Sequence, residues 1–294
     1  MFESFSVIFG VLAPAIFIAL IGYVWVKRGG AYPVPFVTTL VINIGLPALL
    51  FHTLATSTVQ LASLGKLALA AIVVHVLATC VAVTLLKFAG KDWRLAVAHV
   101  VGNTGNLGLP LCLLAFGEEG LAYAMAYFSV QCLLMFSLGD AIYAGRFAWG
   151  AVVRSPVLAA VIAGVAVRFM NLPIPELIMD TTSLLSGLVI PIMLMTLGVS
   201  LASLKVHQLP SCVFWSVVRT GVAISVGFFV AGIFQLEGVA RGVLIIEATV
   251  PVAVFNFLLA QKHGRDSTEV SGLILVTHLG SLLYLPFILH SVLL

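Results

Sequence analysis

The sequence predicts an all-α integral membrane protein: ten transmembrane helices in two inverted five-helix repeats, with helices 4 and 9 broken at prolines and crossing. Three observations predict it. The 294 residues are 62% hydrophobic and only 9% charged, with a mean hydropathy of +1.20, whereas a soluble domain carries about 25% charged residues. Ten stretches are each apolar over the roughly 20 residues that a bilayer crossing takes. Prolines recur in the same order of stretches at a nearly constant offset.

The stretches are 5–26, 34–56, 64–86, 94–116 and 121–144, then 155–170, 178–203, 210–234, 239–261 and 270–292. Little chain remains for loops, so no soluble domain is expected. The first stretch does not read as a cleavable signal, because Glu3 precedes its apolar run and Lys27 and Arg28 follow it; a signal peptide has the opposite polarity.

Lys and Arg choose the orientation. With the N-terminus outside, the cytoplasmic flanks hold ten of them: Lys27, Arg28, Lys87, Lys91, Arg94, Arg146, Arg154, Lys205, Lys262 and Arg265. The external flanks hold Lys66, Arg168 and Arg241, and Arg219 lies inside a span. This excess puts both termini outside the cytoplasmic membrane.

The net charge of +3 is too small to point to nucleic acid. Cys80, Cys112, Cys132 and Cys212 lie in apolar stretches without metal-ligand spacing, so they are expected as reduced packing residues, with no metal site. The chain contains no H-E-x-x-H, no G-x-S-x-G and no paired intramembrane aspartates. An intramembrane enzyme and a bound cofactor are therefore not expected.

The prolines mark a duplication. "LAPAIFIAL" resembles "RSPVLAAVI", "GLPALLFHTLA" resembles "VIPIMLMTLGV", and "GLPLCLL" resembles "TVPVAVF". Pro14 and Pro156, Pro47 and Pro191, and Pro110 and Pro251 are 142, 144 and 141 residues apart. The units are residues 1–146 and 147–294. Five spans is an odd number, so the second unit must insert upside down. Inverted repeats with interrupted helices in matching places characterise secondary transporters, with substrate held near the bilayer midplane.

The fourth span carries "VGNTGNLGLPLCLLAFG", Val101–Gly117. Pro110 has no N–H and its ring clashes with the carbonyl of Asn106, and Gly102, Gly105 and Gly108 weaken the helix further. The span should break here. Freed backbone groups in lipid are tolerated only against protein or a wet cavity. Asn103, Thr104 and Asn106 add donors and acceptors at the same depth, so the run reads as an intramembrane binding site; a mere kink needs one proline. In the ninth span Pro251 should free the carbonyl of Glu247, which makes Glu247 the repeat-mate of Asn106.

A charged residue inside a span is a functional-site candidate, costing at least about 2.5–3.5 kcal/mol there. Arg219 keeps its charge and needs a partner. Either a substrate carboxylate or a structural pairing with Glu247 would serve. His75 stands in the third span near the repeat position of Arg219, and histidine titrates near neutral pH. Glu247 and His75 are the candidates for a coupled proton: an anion arriving at Arg219 would compete with Glu247 for the positive charge and drive it to take up a proton.

"GNTGNLGLPL" followed by "EATVPVAVFNFLLAQKHG" resembles the auxin efflux carrier family, which includes plant auxin exporters and bacterial carriers described as malonate transporters. The likeness runs through almost the whole chain and is most specific at the two proline segments. It implies ten spans in two inverted repeats, scaffold helices and a transport domain, and a site where the fourth and ninth helices cross. It also implies that Asn103 and Asn106 match polar residues of that crossing. Gln131, in "VQCLLMFS", resembles a fifth-span glutamine near the substrate in plant members. The chain departs from long plant carriers in the short loop around Arg146–Arg154, which puts auxin as substrate in doubt.

The expected substrate-binding set is therefore Asn103, Thr104, Asn106, Gln131, Arg219, Glu247, Pro110 and Pro251. The leading function is secondary active transport of a small organic anion of the carboxylate class by alternating access. The sign rests on half-helix N-termini, which favour anions, and on Arg219. A sodium-coupled symporter of the bile-acid type shares the ten spans and the crossing, and an anion channel is the other alternative. The expected partners are the organic anion, the lipid bilayer, a proton or sodium as coupling ion, and a second copy of the chain in a homodimer.

Overall fold

The computed structural model describes residues 2–144, 154–265 and 267–293. The boundary expected between residues 146 and 147, and with it Arg146, lies outside the described residues. Those described are helical throughout, with no strand beyond one isolated antiparallel bridge between Gly102 and Val252.

Helix α1 covers Phe2–Lys27. Helix α2, Val34–Leu40, continues through a π-helical turn, Val41–Gly45, into α3, Leu46–Thr56. Helix α4 covers Leu61–Phe88. The next segment is short and interrupted: a 3-10 turn at Trp93–Leu95, α5 at Ala96–Val100, then a π-helical turn at Thr104–Gly108 leading into α6, Leu109–Leu134. A third π-helical turn, Met135–Gly139, precedes α7, Asp140–Ala144. The second half holds α8 at Pro156–Phe169, α9 at Glu176–Ser203 and α10 at Leu209–Ile233. It continues with α11 at Gly238–Thr249, α12 at Phe255–Lys262 and α13 at Ser267–Leu293.

Among the described residues, seven helical segments are long and apolar enough to cross a membrane: Ser6–Lys27, Val34–Thr56, Leu61–Phe88, Thr104–Ala144, Glu176–Ser203, Leu209–Ile233 and Ser267–Leu293. Pro156–Phe169 is apolar but shorter. Within the 41-residue segment the helix is broken at Gly117, with φ 65° and ψ −154°. A Cβ on Gly120 would overlap the Cys112 carbonyl, although a straight helix would hold those residues about 12 Å apart. The chain therefore turns back at Gly117, a backbone conformation that only glycine adopts without strain.

The helices pack as two groups. Helix α1 lies along α9, and α3 lies against both α8 and α9. Contact between α1 and α9 is close because Gly198 faces the Ala19 carbonyl and Gly22 the Met195 carbonyl, where a Cβ would overlap; small residues of this kind let membrane helices touch. The second group is α4, α6, α10, α11 and α13, with the short α5 and α12. The outer surface carries Phe36, Leu184, Leu283 and Phe287 exposed, as expected where the solvent is lipid.

The interruptions do not fall where the prolines alone place them. In the first half the interruption between α5 and the turn at Thr104 is Val101–Asn103, well before Pro110, which directly follows that turn. The helix already runs from Thr104, with the Leu109 N–H on the Thr104 carbonyl five residues back, so the missing proline N–H is taken up by the π-helical turn before it. In the second half Pro251 lies inside the gap between Thr249 and Phe255. Val250 before it is extended at ψ 148°, as a residue preceding proline prefers.

Candidate functional site

The two gaps meet. The Asn103 N–H donates to the Pro251 carbonyl at 2.7 Å, and the Ala253 N–H donates to the Val101 carbonyl at 3.0 Å. The freed backbone groups are thus paired across the interruption, as they must be inside a membrane. Side chains complete the accounting. The Asn256 Nδ2 donates to the Val101 carbonyl at 3.0 Å, the Thr277 hydroxyl accepts from the Val252 N–H at 3.2 Å, and the Tyr284 hydroxyl donates to the Thr249 carbonyl at 2.8 Å.

A cavity of about 140 Å³ opens beside this junction. Its polar wall is Asn103, Thr104, Asn106 and Gln131, with Thr38, Thr196 and Ser200 opposite. Its apolar wall includes Ile42, Phe128, Met135, Met193 and Phe255. Residues of α2, α8 and α9 thus face residues of the interrupted helices across the cavity. All three π-helical turns contribute to its lining through Val41, through Thr104–Asn106, and through Met135 and Phe136. Such turns concentrate at functional sites.

Gln131 organises the polar wall. Its Nε2 donates to the Gly102 carbonyl at 2.8 Å and to the Thr104 hydroxyl at 2.6 Å. The Asn103 amide nitrogen lies 3.1 Å from His278 Nε2, and the Asn103 carbonyl accepts from the N–H groups of Leu107 and Gly108, each at 3.1 Å. Asn106 is half-buried and, among the described residues, its side chain makes no hydrogen bond with the protein. Helices begin at Thr104 and Phe255 beside the cavity, and the first N–H groups of a helix have no intrahelical partner.

The remaining expected residues stand elsewhere. Arg219 is 2% exposed; its Nε donates to the His99 carbonyl at 3.2 Å and its guanidinium lies beside the Tyr284 hydroxyl. It lines a separate void of about 20 Å³ with His75, His99 and Tyr127. Glu247 is 1% exposed and packs on Gly108, where a Cβ would overlap its carboxylate; its Oε1 accepts from the Cys112 thiol at 3.7 Å. Among the described residues Arg219 and Glu247 form no ion pair. Of the two partners open to Arg219, the structural pairing with Glu247 does not form, because Arg219 donates to the His99 carbonyl of α5 while Glu247 turns toward Gly108 and Cys112. Pro110 and Pro251 shape the backbone, and neither side chain lines the cavity. Among the described residues no group of His, Cys, Asp and Glu could hold a metal ion.

His278, Thr277, Asn256 and Tyr284 hold the junction together and were missed in the sequence reading. The signal for the first two was there: a histidine and a threonine side by side in the apolar tenth stretch.

A family model described as "Membrane transport protein" matches residues 7–149 and 144–289. The chain belongs to this membrane transport family, that of the auxin efflux carriers. This multi-pass transport protein is 28% identical over 268 residues to an uncharacterised transporter of Methanocaldococcus jannaschii, covering 83% of this chain and 85% of that one. It is 26% identical over 284 residues to an uncharacterised transporter of Methanothermobacter thermautotrophicus, covering 92% and 93%. A Rhizobium meliloti protein named "Putative malonate transporter" is 23% identical over 278 residues, covering 87% and 86%.

Proposed function

We propose that the protein is a secondary carrier of a small organic anion of the carboxylate class, working by alternating access in the cytoplasmic membrane. The observation that carries this reading is the cavity of about 140 Å³ at the junction of the two helix gaps, walled by Asn103, Thr104, Asn106 and Gln131. The Asn106 amide, which has no hydrogen bond to the protein among the described residues, and the helix N-termini favour an anion there. No Lys or Arg is among the lining residues described, so the anion is held by dipoles rather than by a fixed counter-charge. The name of the Rhizobium meliloti relative makes malonate the first substrate to try.

In this reading the ten sequence windows are ten crossings in two inverted repeats. The turn at Gly117 divides the fourth from the fifth, and the segments flanking the two gaps are broken helices 4 and 9. Both termini lie outside, and α1, α3, α8 and α9 form a scaffold against which the other group moves. A sodium symporter fits less well. The carbonyls of His99, Val101, Gly102, Thr249 and Pro251 already accept from protein donors, whereas sodium sites in such carriers draw on unwound backbone carbonyls.

A thermal-shift screen of the purified protein against mono- and dicarboxylates tests the reading, each with and without sodium and at two pH values. A stabilisation by carboxylates that does not need sodium is expected. Stabilisation by sodium alone would favour the symporter, and none by any carboxylate would remove the anion site.

A further inference from the structure

Three buried histidines share one feature and differ in another. His75, His99 and His278 each set Nδ1 against the carbonyl four residues back, at 2.7 Å from Ala71, 3.0 Å from Leu95 and 2.8 Å from Ile274. A carbonyl only accepts, so Nδ1 carries the hydrogen in all three, and a neutral ring then has Nε2 as an acceptor. His278 Nε2 lies against the Asn103 amide nitrogen, a donor, and His99 Nε2 has no partner. Both suit a neutral ring. His75 Nε2 instead faces Gln131 Oε1 at 3.4 Å, and that oxygen only accepts. The amide cannot turn over to relieve the mismatch, because a flip would set Oε1 against the Gly102 carbonyl that Gln131 Nε2 now serves at 2.8 Å.

We propose that His75 holds the coupled proton of this carrier and that Gln131 reports its presence to the substrate cavity. With Nε2 protonated, the ring donates to both the Ala71 carbonyl and Gln131 Oε1, and the amide stays fixed on Gly102 and Thr104. With the proton lost, two lone pairs face each other, and the amide is released from the wall of the cavity. The proton comes from water and returns to it, and no other bond is made or broken.

The groups facing His75 set the sign. Arg219 of α10 and His99 of α5 line the same small void, and the Tyr127 ring of α6 lies 5.3 Å from the imidazole. Cys80 of its own helix shares with it a groove on the other side. Glu247 of α11 turns away to Gly108 and Cys112. The Arg219 charge opposes a second positive charge on His75, and an anion in the cavity beside Gln131 offsets it. Anion and proton therefore reinforce each other's binding, by the same factor in each direction. This rests on the carrier reading and names its coupling site.

The test is isothermal titration of the purified full chain with malonate, in buffers of different ionisation heat. The range is about pH 6.5–8, where free imidazole is largely neutral and the acid itself is ionised. Wild type should take up a proton on binding, and its affinity should fall by up to about tenfold per pH unit as pH rises. His75→Gln can donate to Gln131 Oε1 without titrating, so it should bind with no proton uptake and a flat pH profile, while Glu247→Gln should behave as wild type. Proton uptake that survives in His75→Gln, or that is lost in Glu247→Gln instead, overturns the proposal. Nitrogen-15 histidine spectra of the ligand-free protein decide it without relying on binding. The resonances absent from His75→Gln should pass from neutral to doubly protonated as the pH is lowered, and a ring that stays neutral down to the acid limit of the folded protein overturns it. A wild type that binds no carboxylate would sink the carrier reading alone, since those spectra still decide where the proton sits.

Discussion

Asn103 donates its backbone N–H to the Pro251 carbonyl at 2.7 Å, and so ties the first helix gap to the second. Residues 148 positions apart, both buried, share one hydrogen bond. Each gap supplies what the other lacks, which is how two stretches of non-helical backbone persist inside a membrane protein.

The two asparagines of the site should separate in their effects. Asn103→Ala removes the partner of His278 and leaves a buried nitrogen unmatched, which costs about 1–3 kcal/mol. Asn106→Ala removes a side chain with no internal hydrogen bond, so its stability should stay within about 0.5 kcal/mol of wild type while carboxylate affinity drops at least about tenfold. Thermal unfolding in detergent and ligand titration of both variants measure this. Equal destabilisation by the two would show that Asn106 has a structural partner.

Gly108 is held small by Glu247. Gly108→Ala drives a methyl group into the buried carboxylate, and overpacking of this kind costs about 1–3 kcal/mol. Adding Glu247→Ala should recover most of the loss, since it removes the obstacle. An unfolding midpoint for Gly108→Ala that matches wild type would mean that α6 and α11 lie farther apart than described.

Orientation is open to direct labelling. Cysteines placed at Glu118 and Glu176 should react with an impermeant reagent from outside intact cells, and one at Lys262 only after permeabilisation. Reversed accessibility would discard the inverted arrangement. In a background where Cys80, Cys112, Cys132 and Cys212 are serine, the reading is free of native thiols.

Much of the architecture is legible because lipid imposes a simple rule: apolar stretches of about 20 residues become helices. The part of the site that comes together, Asn103, Thr104, Asn106 and Gln131, was visible either as polar residues clustered with glycines or through the family resemblance. Arg219 and Glu247 were harder. Sequence spacing places an α-carbon along a helix but not the direction of a long side chain, and these two turn to different neighbours. Pro110 misled for a related reason: it follows a π-helical turn in a helix that has already resumed at Thr104, so the gap lies upstream, around Gly102. His278 was passed over because its partner Asn103 is 175 residues away, and no local pattern announces such a contact.

The central claim is that the cavity beside the joined gaps carries a small organic anion across the membrane. Counterflow of labelled malonate in proteoliposomes tests it most directly, comparing wild type with Asn106→Ala at equal reconstitution. Wild type should show saturable uptake that is accelerated by unlabelled malonate on the far side, and Asn106→Ala should need at least about tenfold more substrate for half-maximal flux. Uptake that never saturates, or that is the same in both proteins, would contradict the account.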